Sequence, residues 1–154
     1  LYATSGLPGG LVPPEEARRM SLKDRAAATM AAGYRVYRVD GDINATGLTP
    51  DVTGGPGGGG TVFDSRLRVR RIIDAVAQIR DGIGPEGNWM IDLHQKFDFH
   101  EAVEVCRLME PYRPYCVEDP LREEQFRTQI PKLRLMTSVP LAPGEEWGTR
   151  ADFS

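Results

Sequence analysis

The chain has 154 residues, 40% of them hydrophobic and 27% charged, and carries a net charge of −3. That length and composition suit one globular unit, and the acidic balance argues against a general nucleic-acid binder. No apolar run approaches the roughly 18 residues that a membrane span needs.

The chain opens on Leu1 rather than Met, so the lack of a signal-peptide pattern carries no weight. Leu1-Tyr2-Ala3-Thr4-Ser5 reads as a strand that breaks at Gly6-Leu7-Pro8-Gly9-Gly10. Pro13-Pro14 then leads into a segment running to Ala32, helical at least from Ser21. Ser21 with Asp24 makes a capping-box-like start, and Gly33 suits the position just past the end. Tyr34 to Asp40 is a second strand, aromatic and β-branched. Gly41 to Val62 holds the glycine-rich stretch Gly54-Gly55-Pro56-Gly57-Gly58-Gly59-Gly60, which resembles a phosphate loop in composition only. It lacks the Gly-Lys-Ser/Thr ending, so a nucleotide site is rejected.

Asp64 is expected to cap the clearest helix, in which Leu67, Ile72, Ile73, Val76 and Ile79 form an apolar stripe. Arg66, Arg68, Arg70 and Arg71 are expected on its solvated face. Gly82 and Gly84 end that helix before the run Asn88-Trp89-Met90-Ile91-Asp92-Leu93-His94. Asp98 and Glu101 open a further helix through Met109. A strand ending at Glu118, a helix from Arg122 to Ile130 and a strand ending at Glu145 complete the chain. This alternation implies a parallel sheet. Cys106 and Cys116 are expected as free thiols, which fits a reducing, cytoplasmic setting.

Three of these runs end in the same way, in a carboxylate just past a short apolar stretch: Asp92, Glu118 and Glu145. The intervals are 26 and 27 positions, about one strand-helix unit. Singly, each carboxylate is as well explained as a helix cap or a surface charge. Together, at one-unit spacing, they describe a site for a hard cation at the active face of a barrel. An all-carboxylate set suits Mg²⁺ rather than zinc, since neither cysteine lies near a histidine in a ligand spacing. His94 lies two residues past Asp92, so on a continuous strand both point to one face. It is then a candidate acid or base. His100 is expected to be exposed, and Asp119 and Glu146 to be supporting or structural groups.

The runs Ile91-Asp92-Leu93-His94, Glu110-Pro111-Tyr112-Arg113-Pro114, Val117-Glu118-Asp119-Pro120 and Pro143-Gly144-Glu145 carry a family resemblance in order and spacing. The chain resembles the barrel domain of the enolase superfamily, in the mandelate racemase/muconate lactonizing branch, and is most similar to its galactonate/mannonate-type sugar-acid dehydratases. The resemblance covers nearly the whole chain. It implies an α/β fold, a partial (β/α) TIM-type barrel of about five parallel strands. Residues 1–154 would be the N-terminal part of the barrel domain, with the capping domain and last strands absent and the piece inactive alone. It also implies Mg²⁺ held by Asp92, Glu118 and Glu145, and His94 as the acid that expels a β-hydroxyl. The expected partner is a small acid sugar, with no nucleic acid or membrane, and the full-length protein is expected to be a homo-oligomer.

Arg38-Val39-Asp40 stands where racemases of this branch carry Lys-x-Lys. A lysine-based racemase is therefore disfavoured, and Arg38 and Asp40 are expected at the substrate. Mannonate dehydratase pairs such an arginine with a tyrosine from the following loop, but residues 41–62 contain none. Galactonate dehydratase-like enzymes take their base from a His–Asp pair on later strands. Two alternatives stay open: an epimerase or racemase of the same superfamily, and a non-catalytic barrel relative.

Overall fold

Five parallel strands lie side by side in chain order in a computed structural model, which describes residues 2–3, 12–40, 65–122 and 126–153. They are β1 (Tyr2–Ala3), β2 (Val36–Asp40), β3 (Asn88–Asp92), β4 (Cys116–Glu118) and β5 (Leu141–Ala142). The helices are α1 (Pro14–Arg19), α2 (Leu22–Ala31), α3 (Ser65–Ile83), α4 (Phe99–Met109) and α5 (Phe126–Met136). Sequential parallel strands separated by helices are the unit of a (β/α) barrel, and the chain forms part of one. The expected α/β class and five-strand count are both observed. No helix among the described residues is long and apolar enough to cross a membrane.

Local chemistry accounts for most boundaries. Ser21 Oγ accepts from the Asp24 backbone N–H at 3.1 Å, and Gly33, with φ 90°, ends α2 in the left-handed conformation glycine favours. Asp98 and Glu101 close a full capping box at the start of α4. The expected helix from Arg122 to Ile130 is instead Phe126–Met136. Pro131, which suggests an end, sits inside it, and buried Leu133, two residues on, packs into the core. Packing has outweighed the hydrogen bond that proline removes. The proposed cap Asp64, the glycine-rich stretch 54–60 and the side chain of Asp40 lie outside the described residues.

The core fills the space between the sheet and the helices. Odd-numbered strand residues Tyr37, Val39, Trp89, Ile91 and Val117 are buried against Leu22, Val69, Ile72, Val76, Ile79, Cys106 and Met109 from α2, α3 and α4. Burying one such large side chain contributes about 1.5–3 kcal/mol. The even-numbered residues of the same strands are thereby left for the opposite face. Cys106 is a free, buried thiol pushed up to about 12 by burial, and Cys116 is free and half-buried. Arg68 departs from the expected solvated face: its guanidinium lies 4.0 Å over the Phe97 ring and donates to the Lys96 carbonyl at 3.0 Å.

At the N-terminal ends of the strands, Arg80 acts as a clamp. It donates to the carbonyls of Tyr112 (2.6 Å), Arg113 (3.0 Å), Gly84 (2.9 Å) and Gly87 (2.7 Å). Trp89 Nε1 donates to the same Tyr112 carbonyl at 2.8 Å. The end of α3, the entry to β3 and the 3-10 turn Glu110–Tyr112 are thus tied to one planar cation. Hydrogen bonds to a charged group are worth about 1.5–3 kcal/mol each and do not add fully, so Arg80→Ala should cost about 3 kcal/mol. Arg80→Lys should recover only part of it, because an ammonium lacks the fork. Urea unfolding of the three proteins checks this, and equal midpoints would reject the clamp.

Candidate metal and acid–base site

Strand register builds the site at the opposite end of the sheet. Asp40 pairs with Asp92, Asp92 with Glu118, and Glu118 with Ala142, which places these residues in one row at the C-terminal edge. Neighbouring strands lie about 4.8 Å apart, so pairing alone brings the Asp92 and Glu118 backbones together. One row below stand Arg38, Met90 and Cys116.

Asp92 is fully buried. Its Oδ1 accepts the His94 backbone N–H at 2.8 Å, and its Oδ2 faces both His94 Nε2, at 2.9 Å, and Arg38 Nη2. Arg38 Nε donates to Glu118 Oε2 at 2.9 Å, so one guanidinium bridges two carboxylates on adjacent strands. Burial pushes the Asp92 carboxyl up, and the His94 backbone N–H opposes that shift.

His94 reaches Asp92 by another route than strand alternation. β3 stops at Asp92, and His94 and Gln95 follow with φ of 47° and 57°. Such left-handed residues cost on the order of 1 kcal/mol each. The turn is held by Leu93 N–H to the Glu118 carbonyl at 3.0 Å and Gln95 N–H to the Asp119 carbonyl at 2.8 Å. The imidazole is placed by this turn and by the carboxylate it touches.

Glu145 likewise stands beyond its strand. β5 ends at Ala142, and Leu141, one step earlier, packs on the core. A straight extension would send residue 145 to the side of Leu141, towards the helices. The turn at Pro143-Gly144 redirects it. Gly144 has φ 118°, and a Cβ there would lie 2.9 Å from the Trp147 ring. Buried Asp119 anchors this turn: its Oδ1 accepts from the Gly144 N–H at 2.7 Å, and the Glu145 N–H also donates to the carboxylate. Burial pushes Asp119 up despite those two bonds. Asp119 thus positions Glu145, in line with the supporting role read from its place next to Glu118.

As a result, Asp92, Glu118 and Glu145 each offer a carboxylate oxygen within 4.8 Å of the others. Desolvation, then the Asp119 and Asp92 charges, push the Glu145 carboxyl up. Mg–O distances are about 2.1 Å, so oxygens on one ion sit roughly 3 to 4 Å apart. The present spacing needs only a small side-chain rotation to match. Hard anionic oxygens in that number fit a divalent cation such as Mg²⁺. His100 and Glu146 are exposed and stand outside the cluster. What the sequence reading missed is the contact of Arg38 with two of these carboxylates. Strand alternation puts residue 38 on the face of residue 40, but its meeting with Asp92 and Glu118 comes only from strand register.

Comparisons with known proteins agree with the barrel fold. The sequence model of the family described as enolase C-terminal domain-like matches residues 21–154. A D-gluconate dehydratase from Thermoproteus tenax is 40% identical over 77 residues, which is 50% of this chain and 15% of that protein. Among solved structures, an enolase from Pantoea ananatis with bound D-gluconate and Mg is 25% identical, with a TM-score of 0.63. That match covers 80% of this chain and 34% of the other. A mandelate racemase/muconate lactonizing enzyme-like protein from Rubrobacter xylanophilus is 27% identical, with a TM-score of 0.66 over 99% of this chain and 39% of its own. The chain therefore spans well under half the length of these relatives. With a family match over most of its length and the barrel strands in place, the chain belongs to the enolase C-terminal domain-like family.

Proposed function

We propose that this chain is the part of a Mg²⁺-dependent acid-sugar dehydratase that carries the metal ligands Asp92, Glu118 and Glu145. The observation that carries the reading is the convergence of these carboxylates with His94, whose Nε2 is 2.9 Å from Asp92. The D-gluconate dehydratase relative and the gluconate- and Mg-bound structural neighbour support an acid sugar as the substrate class.

An α-hydrogen beside a carboxylate is very weakly acidic, and hydroxide is a poor leaving group. The cation, when bound, supplies positive charge next to the substrate carboxylate and makes the α-hydrogen removable. His94 then serves as the acid that protonates the departing β-hydroxyl, releasing it as water. The resulting enol tautomerises to a 2-keto acid, which balances the reaction as loss of one water. Arg38 and Asp40 are proposed to meet the substrate from β2. The proton-abstracting base is assigned to residues of the whole protein outside this chain, so the chain alone should be inactive.

A panel of acid sugars, gluconate among them, incubated with the full-length protein tests the reading. Mg²⁺-dependent appearance of a 2-keto acid from one of them is expected. Racemisation or epimerisation without water loss would move the protein to a different reaction of the same superfamily.

A further inference from the structure

Two of the three clustered carboxylates already share a cation, and it is part of the chain. Arg38 donates from Nε to Glu118 Oε2 and from Nη2 to Asp92 Oδ2, and its side chain is only 14% exposed. We infer that Arg38 is the counter-cation of the metal-free site, and that a divalent ion entering it displaces this guanidinium from Asp92. The inference rests on the metal role proposed above for Asp92, Glu118 and Glu145.

Asp92 is crowded. Its Oδ1 is held by the His94 backbone, and its Oδ2 already faces both Arg38 Nη2 and His94 Nε2. An ion bound closely to Oδ2 would meet a like-charged group on the same oxygen. A guanidinium, moreover, does not give up its proton in a protein. A lysine in this place could lose its charge when a dication arrives, whereas Arg38 has to move. The need for a counter-charge is also built into the register. Asp92 and Glu118 are direct partners on adjacent strands, where like charges repel, and Asp92 is fully buried. Displacement would leave the guanidinium on the same face of the sheet, where its substrate role is proposed.

The test is a titration of the protein with Mg²⁺ alone by calorimetry, repeated with Mn²⁺ by electron paramagnetic resonance. Wild type is compared with Arg38→Gln, Arg38→Lys and Glu145→Gln. Arg38→Gln should bind the ion about tenfold tighter or more, because a competing positive charge has gone. Its metal-free form should melt below wild type, and saturating Mg²⁺ should close that gap. Arg38→Lys should fall between the two, since a point charge cannot bridge both carboxylates, and it answers the question if Arg38→Gln does not fold. Unchanged or weaker binding by the Arg38 variants, with a melting deficit that Mg²⁺ does not reduce, would overturn the inference. In that case the guanidinium is a fixed part of the loaded site. Failure of wild type itself to bind either ion would instead remove the metal centre, and the inference with it. Binding by wild type that Glu145→Gln weakens leaves the centre standing and the Arg38 comparison decisive.

Discussion

Dehydration by the full-length protein carrying His94→Asn should fall by a factor of about 10² to 10⁴, the usual contribution of a positioned general acid. Exchange of the substrate α-hydrogen with deuterated solvent should continue, because the proposed base is a group other than His94. Asparagine suits the test for a structural reason. Residue 94 has φ 47° and gives its backbone N–H to Asp92 Oδ1. Asparagine tolerates the left-handed conformation and keeps that bond, but its amide cannot deliver a proton. Mass spectrometry of recovered substrate reads the exchange, and assay of the 2-keto acid reads the dehydration. Loss of both activities would make His94 the base, or show that the site has collapsed. Mg²⁺ titration of the variant separates those two outcomes.

Asp92→Asn should lower Mg²⁺ affinity by about 100-fold or more, since loss of a ligand should exceed the 10- to 100-fold cost of losing a supporting group. Asparagine fills the same volume and still accepts the His94 N–H, so the fold should persist. The metal-free protein gives the opposite sign for stability. Burial raises the Asp92 carboxyl above its ordinary range. A carboxyl raised in the folded state favours folding while protonated, and that contribution is lost as pH rises through the raised value. At neutral pH without metal, the ionised group therefore opposes folding, and Asp92→Asn should melt no lower than wild type. The two should converge as pH falls and Asp92 takes up its proton. Melting curves in chelator at pH 4 and pH 7 check this. A variant that melts far below wild type at pH 7 would mean that the Arg38 and His94 contacts outweigh the burial of the charge.

Which carboxylates cluster was easier to read from the sequence than how they come together. Alternating apolar strands and helices, with Asp92, Glu118 and Glu145 one unit apart, sufficed for a parallel sheet with three acids at strand ends. Strand-end position and one-unit spacing placed Asp92 and Glu118 together, because both are the last residues of regular strands in direct register. They did not describe how His94 and Glu145 arrive, since each lies past the end of its strand. Their positions depend on left-handed backbone at residues 94, 95 and 144. They also depend on long-range bonds to Asp119, which local pattern does not encode. The Arg38 bridge was hidden for a related reason. Its partners are 54 and 80 residues away, and only register brings them together. α5 shows the limit of punctuation: Pro131 suggests a stop, but burial of Leu133 carries the helix through it.

The most direct test of the account is a crystal of the protein soaked in Mn²⁺, with data collected near the manganese absorption edge. One anomalous peak is expected at the C-terminal edge of the sheet, about 2.0 to 2.3 Å from oxygens of Asp92, Glu118 and Glu145. The Arg38 guanidinium is expected to have withdrawn from Asp92 Oδ2. A fully occupied manganese elsewhere, with Asp92 and Glu118 still clasped around Arg38, would contradict the metal centre.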